Sequence, residues 1–369
     1  MKLAIASNFM YSHVGGSEIV LQAISERLTQ SYDYDVTCFG KNVRKKNVHN
    51  NVKYEGIPTR YEDFVSGINK GGFDHLFVYS DYFIFWSKMV VQPDAIKCSK
   101  SIALVGMNQM IGNPNLSKFF RRTHDGFTVI THSNNYLDHK ECTRLKIPVK
   151  VIPNGVDLKE FDDCEIDFRK RFDIPDKPIL LCVSNFFPGK GQDHLSNILQ
   201  YVTSDFYLVL ISTTVSIPMA KMLATQVRQQ LAQGRIKHKF LQDIGRESTV
   251  AAFKAADIFV FPSLKEVAPL VLMESMAANT PWISMPVGNA TDLAGGVVVQ
   301  HPRYDVHRNI KYSDQAHKMF GDEIESLLND RDRRMRLGSN GRVCIEENHN
   351  WYDICKQYHE IFSHGSTVS

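Results

Sequence analysis

The chain has 369 residues, 43% apolar and 22% charged, which fits two globular domains and excludes a disordered protein. A formal net charge of +3 is too small for a nucleic-acid binder, and no apolar run approaches the roughly 18 residues of a membrane-spanning helix. Seven cysteines, an odd number without a Cys-x-x-Cys pair, argue against a disulfide framework or a zinc cluster, and the apolar run after Lys2 is too short for a secretory leader. A reducing, cytoplasmic location is the expectation.

Leu3-Ala4-Ile5-Ala6 reads as a buried strand. A loop over 7–17, bearing Gly15 and Gly16, leads into the helical pattern Ile19, Val20, Ala23, Ile24, Leu28. A strand over 36–39 follows. Strand, glycine loop, helix, strand is the opening of a parallel α/β sheet. Further strands are predicted over 73–79, 101–105, 127–131 and 149–152, the last closed by Pro153-Asn154-Gly155. The pattern then restarts. A buried strand over 179–183 is followed by Pro188-Gly189-Lys190-Gly191, a helix from about 193, strands over 207–211 and 258–261, and a helix over 271–278. Two such units in tandem predict two Rossmann-like domains, with the boundary between Val156 and Pro178. The stripe Trp351, Ile354, Cys355, Tyr358, Phe362 predicts a last helix with one apolar face.

Three segments point to chemistry. Gly15 and Gly16 let backbone approach an anion at a helix N-terminus, although a plain tight turn fits them as well. They lack the Gly-x-Gly-x-x-Gly spacing of a dinucleotide oxidoreductase. Lys190, held in a glycine turn after a strand, is placed to neutralise a phosphate or simply to face solvent; the surrounding residues do not form a Walker A loop. The third segment, Pro262 to Ala277, is the most specific. It sets Glu266 and Glu274 eight residues apart across a short loop and the first turn of a helix. Glu274 lies within the apolar series Leu270, Val271, Met273, Ala277, so its carboxylate needs hydroxyl or N–H partners.

This third segment resembles the Glu-x7-Glu signature of the family-4 retaining glycosyltransferases, whose fold is GT-B. Val151-Ile152-Pro153-Asn154-Gly155-Val156-Asp157 is similar to that family's interdomain segment, and Ala256-Asp257-Ile258-Phe259-Val260 to one of its strands. The resemblance runs through nearly the whole chain. It implies two Rossmann-like domains facing a central cleft. Residues 1–160 would bind the acceptor and 175–349 the nucleotide sugar, with a helix over 350–365 packing back on the first. By position, Lys190 would contact the donor diphosphate and Glu266 the transferred sugar, both counted as catalytic. Amides of Val267, Ala268, Pro269 and Leu270 would cradle phosphate and ribose, Glu274 would take the ribose hydroxyls, and Gly15 and Gly16 would close over the phosphates. Pro269 has no N–H, so one donor is lost there. Asn185 stands where the family often has arginine and can offer only neutral hydrogen bonds. Asn108 stands near the place of a histidine that faces the donor sugar.

The reading is a metal-independent, retaining transfer of a sugar from a nucleotide diphosphate to a hydroxyl on a glycan, lipid or small molecule. A non-hydrolysing nucleotide-sugar epimerase of the same fold is the rival enzyme, and a degenerate, nucleotide-binding homologue the rival without activity. Asp33-Tyr34-Asp35 imitates a metal motif but reads as a surface turn. His124, His132 and His139 read as core or solvated histidines. Lys41 to Lys46 and Lys118-Phe119-Phe120-Arg121-Arg122 read as solvated faces, or as a peripheral membrane contact.

Overall fold

The computed structural model describes residues 1–8, 10–11, 15–79, 83–106, 122–213, 218–300 and 312–364. The chain divides into two compact units: Met1–Asn154 with Trp351–Ser369, and Gly155–Asn350.

The first unit is built on β1 (Lys2–Ser7), β2 (Asp35–Gly40), β3 (Asn47–His49), β4 (Val52–Gly56), β5 (His75–Tyr79), β6 (Ser99–Ala103), β7 (Thr128–Thr131) and β8 (Val149–Val151). Their order is β3-β4-β2-β1-β5-β6-β7-β8, parallel throughout except for the β3–β4 hairpin. That hairpin turns on Asn50 and Asn51, with φ of 47° and 64°. Both lie in the left-handed region that a two-residue type I′ turn demands and that asparagine tolerates. The central strands are apolar on both faces, as a sheet covered by helices on each side requires. The helix Gly16–Tyr32 lies after β1. The last helix, Trp351–His364, returns to this unit through its apolar stripe. Tyr358 and Phe362 pack on Phe77, and His359 Nδ1 lies 2.8 Å from the Tyr34 hydroxyl.

The second unit is built on β9 (Ile179–Val183), β10 (Tyr207–Ser212), β11 (His238–Gln242), β12 (Ile258–Phe261), β13 (Trp282–Ser284) and β14 (Gly296–Val298). All pair parallel, in the order β11-β10-β9-β12-β13-β14. From β9 the chain winds outward to β10 and β11, then crosses back to β12 on the other side of β9. The loops leaving the C-terminal ends of β9 and β12 therefore diverge. Such a switch point opens a crevice, which is where ligands of open α/β sheets bind. The helix expected from about 193 is instead a 3-10 turn, Gln192–His194, followed by the short helix Leu195–Leu199.

Candidate active site

The two loops at the β9/β12 switch point carry the residues singled out by sequence. After β9, Gly191 has φ of 76°, and a β-carbon there would lie 1.9 Å from the Pro262 carbonyl oxygen. Only glycine lets these loops press together so closely. The contact is tied by the Leu264 N–H donating to the Gly189 carbonyl at 2.7 Å, with Ser263 Oγ 3.2 Å from the same oxygen. Lys190, between the two glycines, reaches across the seam. Its Nζ donates to Glu266 Oε1 at 2.7 Å, and Ser263 Oγ donates to that same Oε1 at 2.7 Å. Lys190 keeps 30% of its side chain exposed and Glu266 only 11%. The two residues proposed as catalytic are thus brought together as a half-buried ion pair.

Val267, Ala268 and Pro269 continue the second loop. Gly288, with φ of 54°, backs it so closely that a β-carbon there would lie 2.4 Å from the Val267 carbonyl oxygen. Pro269 is the N-cap of the helix Leu270–Ala277 and supplies no side-chain cap. The Leu272 N–H donates to the Pro269 carbonyl at 3.3 Å, which leaves the Leu270 and Val271 amides for an outside acceptor, and the helix dipole favours an anionic one.

Glu274 sits in the middle of that helix, buried. The partner its burial demands is Arg246, whose Nη1 donates to Glu274 Oε1. Arg246 opens the helix Arg246–Ala255 and is gripped from its other side by Glu160 Oε2, which accepts from Nη2 at 2.6 Å and from Nε at 2.9 Å. Burial works against the guanidinium's charge. The two carboxylates more than offset it, Glu274 first, and hold its pKa above the ordinary arginine value. Sequence reasoning did not find Arg246. The signal was a carboxylate in an apolar helix face, but nothing local indicated which basic residue would answer it.

Asn185 lies at the mouth of the same crevice, and its side-chain oxygen is committed. Oδ1 accepts from Thr213 N at 3.0 Å and from Thr213 Oγ1 at 2.6 Å, and Gln192 Nε2 donates to the Asn185 carbonyl at 3.1 Å. Its Nδ2 donates to no side chain or carbonyl among the described residues.

Gly15 and Gly16 belong to the first unit. Gly15 is the extended N-cap of the helix Gly16–Tyr32, and its carbonyl accepts from Ile19 N at 3.1 Å. A β-carbon at Gly15 would lie 2.4 Å from Glu18 Oε2. Asn108 lies outside the described residues, as do Lys118, Phe119, Phe120 and Arg121. Arg122 lies 3.5 Å from Asp125 and Lys46 2.8 Å from Glu55, both at the surface. Asp33 is the left-handed C-cap of the first helix, and Asp35 pairs with Lys53 at 2.6 Å. His132 is a core residue: its Nδ1 donates to the Ile152 carbonyl at 2.9 Å, and burial lowers its pKa. Among the described residues, no group of three or more His, Cys, Asp or Glu side chains is arranged to hold a metal, and no helix is long and apolar enough to cross a membrane.

Residues 165–343, which include both loops and the helix bearing Glu274, match the family model described as glycosyl transferases group 1. The match supports a glycosyltransferase family. A GDP-mannose-dependent alpha-(1-6)-phosphatidylinositol monomannoside mannosyltransferase of Mycobacterium tuberculosis is 25% identical, over 63% of this chain and 60% of its own length. Two solved structures share the fold over nearly their whole lengths. Sucrose-phosphate synthase from Thermosynechococcus elongatus superposes with a TM-score of 0.77 at 18% identity, covering 100% of both chains. Anabaena HepE in complex with UDP-glucose gives 0.76 at 16% identity, covering 99% of this chain and 100% of its own. The architecture is GT-B.

Proposed function

We propose that this protein is a retaining glycosyltransferase that moves a hexose-type sugar from a nucleotide-diphosphate donor to a hydroxyl acceptor. The observation that carries the reading is the convergence at the β9/β12 switch point. Lys190, Glu266 and the uncapped N-terminus of the helix Leu270–Ala277 meet there, with Glu274 inside that helix. A cation and a helix N-terminus suit a diphosphate, and a buried carboxylate suits ribose hydroxyls. The glycosyltransferase relatives support this choice over a nucleotide-sugar epimerase of the same fold.

In the proposed reaction the bond between the sugar's anomeric carbon and the leaving phosphate oxygen breaks as the acceptor oxygen bonds to that carbon from the same face. The acceptor's proton passes to the leaving phosphate oxygen, so charge and atoms balance. Lys190 and the first-turn amides stabilise the diphosphate more strongly as negative charge builds on it, which is the differential binding that lowers the barrier. Glu266 holds Lys190 in place through Oε1 and lies beside the expected position of the sugar. Lys190 and the helix N-terminus, rather than a metal, supply the charge stabilisation in this proposal.

The exposed segment Lys41 to Lys46 beside Val48, itself 67% exposed, supports a peripheral contact with anionic membrane as part of the same reading. The test of the activity is transfer and donor hydrolysis measured over UDP-, GDP-, ADP- and dTDP-sugars, each with and without a chelator. Release of nucleoside diphosphate, dependent on a hydroxyl acceptor and undiminished by chelation, is expected. Epimerised donor without acceptor, or chelator-abolished activity restored by a divalent cation, would overturn the corresponding part.

A further inference from the structure

Arg246 is a strong cation of this region that the proposed reaction leaves without a task. It is unsuited to binding an anion, because its guanidinium is already shared between Glu274 and Glu160, one carboxylate on each side. What the pairing does is asymmetric on Glu274. Oε1 accepts from Arg246 Nη1, whereas Oε2 accepts no hydrogen bond from any other described residue. The carboxylate is therefore pinned at one oxygen and open at the other. Glu160 reinforces the pin, since two donors of the same guanidinium converge on its Oε2. Phe161 adds a ring 5.9 Å from the guanidinium carbon. A long, rotamer-rich arginine held at three points has little freedom left to lose when a ligand arrives.

We propose that Arg246, braced by Glu160, is the positioning residue that presents Glu274 Oε2 to the ribose hydroxyls of the bound nucleotide. The inference rests on the reading of Glu274 given above and assigns how that carboxylate discriminates the nucleoside part of the donor. Without Arg246, Glu274 would keep its place in the helix but lose both its charge compensation and its fixed orientation. Binding of the ribose would weaken while binding of the diphosphate would not, because Lys190 and the first-turn amides are held by a different set of contacts. A merely structural ion pair would affect both parts together, through the fold.

The test separates these by chemistry on the ligand. Uridine, guanosine, adenosine and deoxythymidine diphosphates, the 2′,3′-dideoxy analogues of the ribonucleotides, and inorganic pyrophosphate are titrated calorimetrically into the wild type, Arg246→Ala, Arg246→Lys and Glu160→Gln. In the wild type, the best of the ribonucleotides should exceed its dideoxy analogue by about ten-fold or more, the worth of a charged hydrogen bond. In Arg246→Ala that preference should fall to within about two-fold, with pyrophosphate affinity unchanged. Arg246→Lys reaches one carboxylate only and should be intermediate, as should Glu160→Gln. These two milder variants carry the test if Arg246→Ala does not fold. A full ribose preference in the folded variants would overturn the role of Arg246 and leave the proposed function standing. A wild type that binds none of the uridine, guanosine, adenosine and deoxythymidine diphosphates would overturn the proposed function, and this inference with it.

Discussion

Replacing Glu266 by glutamine should tighten the binding of a free nucleoside diphosphate while slowing turnover. In the ligand-free chain Glu266 Oε1 accepts from Lys190 Nζ and Ser263 Oγ, both at 2.7 Å, so a diphosphate has to compete for Lys190. Glutamine keeps an oxygen in the same place and can accept both bonds, but without charge. A charged hydrogen bond exceeds a neutral one by about 1 kcal/mol, and the 30% exposure of Lys190 keeps the difference from growing larger. Removing that competition corresponds to about five-fold tighter binding. The carboxylate's repulsion of the diphosphate acts in the same direction. Lys190→Ala should do the opposite, weakening the diphosphate and lowering turnover by on the order of 10²–10³. Titration of the diphosphate into the three proteins, repeated at high salt, reads both effects, and the Glu266→Gln gain should shrink as salt rises. Weaker binding in Glu266→Gln together with unchanged binding in Lys190→Ala would refute the placement of Lys190 against the diphosphate.

Other positions make separate predictions. Asn185→Arg removes the acceptor on which both Thr213 donors depend, so it should lower stability by about 1–3 kcal/mol. Asn185→Asp should not, and equal denaturation midpoints for the two variants would exclude this role. Gly191→Ala drives a β-carbon into the Pro262 carbonyl; the loops must part, and nucleotide affinity should fall even in protein that stays folded, a loss that wild-type affinity would disprove. His75 is buried, its Nδ1 donating to Ser99 Oγ at 2.6 Å and its Nε2 accepting from Ser101 Oγ at 2.8 Å. Burial, helped by Lys100, pushes its pKa down to about 3. The unfolded chain takes up this proton below about pH 6.5 and the folded chain does not, so stability falls as pH drops from 6.5 toward 3. The loss should reach about 2 kcal/mol at pH 5. Denaturant unfolding of wild type and His75→Asn at pH 7 and pH 5 should show a shallower pH dependence in the variant, and identical dependence would contradict the assignment.

Much of this architecture was legible along the chain because long, strongly patterned elements dominate it. The apolar runs of β1, β9 and β12 and the glycine loops after the first two signal parallel α/β units, and the stripe from Trp351 to Phe362 signals the last helix. Short elements escaped. The strands β13 and β14 have three residues each, too few to show a period. The β3–β4 hairpin joins mostly polar strands, although Asn50-Asn51 is a turn signal that could have found it. The helix Tyr61–Gly71 is not short: it sets Tyr61, Phe64 and Ile68 at i, i+3 and i+7 on one buried apolar face, an amphipathic signal that the sequence reading did not use.

The site divides in the same way. Glu274 stands out in the sequence because a carboxylate in an apolar helix face needs a partner, whereas Lys190 in its glycine turn fits solvent as well as phosphate, and the roles of Lys190, Glu266 and Glu274 toward a nucleotide come from the family resemblance. Which side chains meet is a property of the tertiary fold. Lys190 and Glu266 are separated by 76 residues, and Arg246 by 28 from Glu274. No local pattern links such pairs, since they touch only after the chain crosses from β11 back to β12.

The central claim is that the β9/β12 switch point holds a nucleotide diphosphate. The most direct measurement is amide hydrogen exchange, followed peptide by peptide, with and without saturating UDP, GDP, ADP or dTDP. At least one of the four should slow exchange in residues 184–191 and 262–277, and Lys190→Ala should abolish that protection. Failure of all four nucleotides to protect these two segments in the wild type, or protection confined to other parts of the chain, would contradict the account.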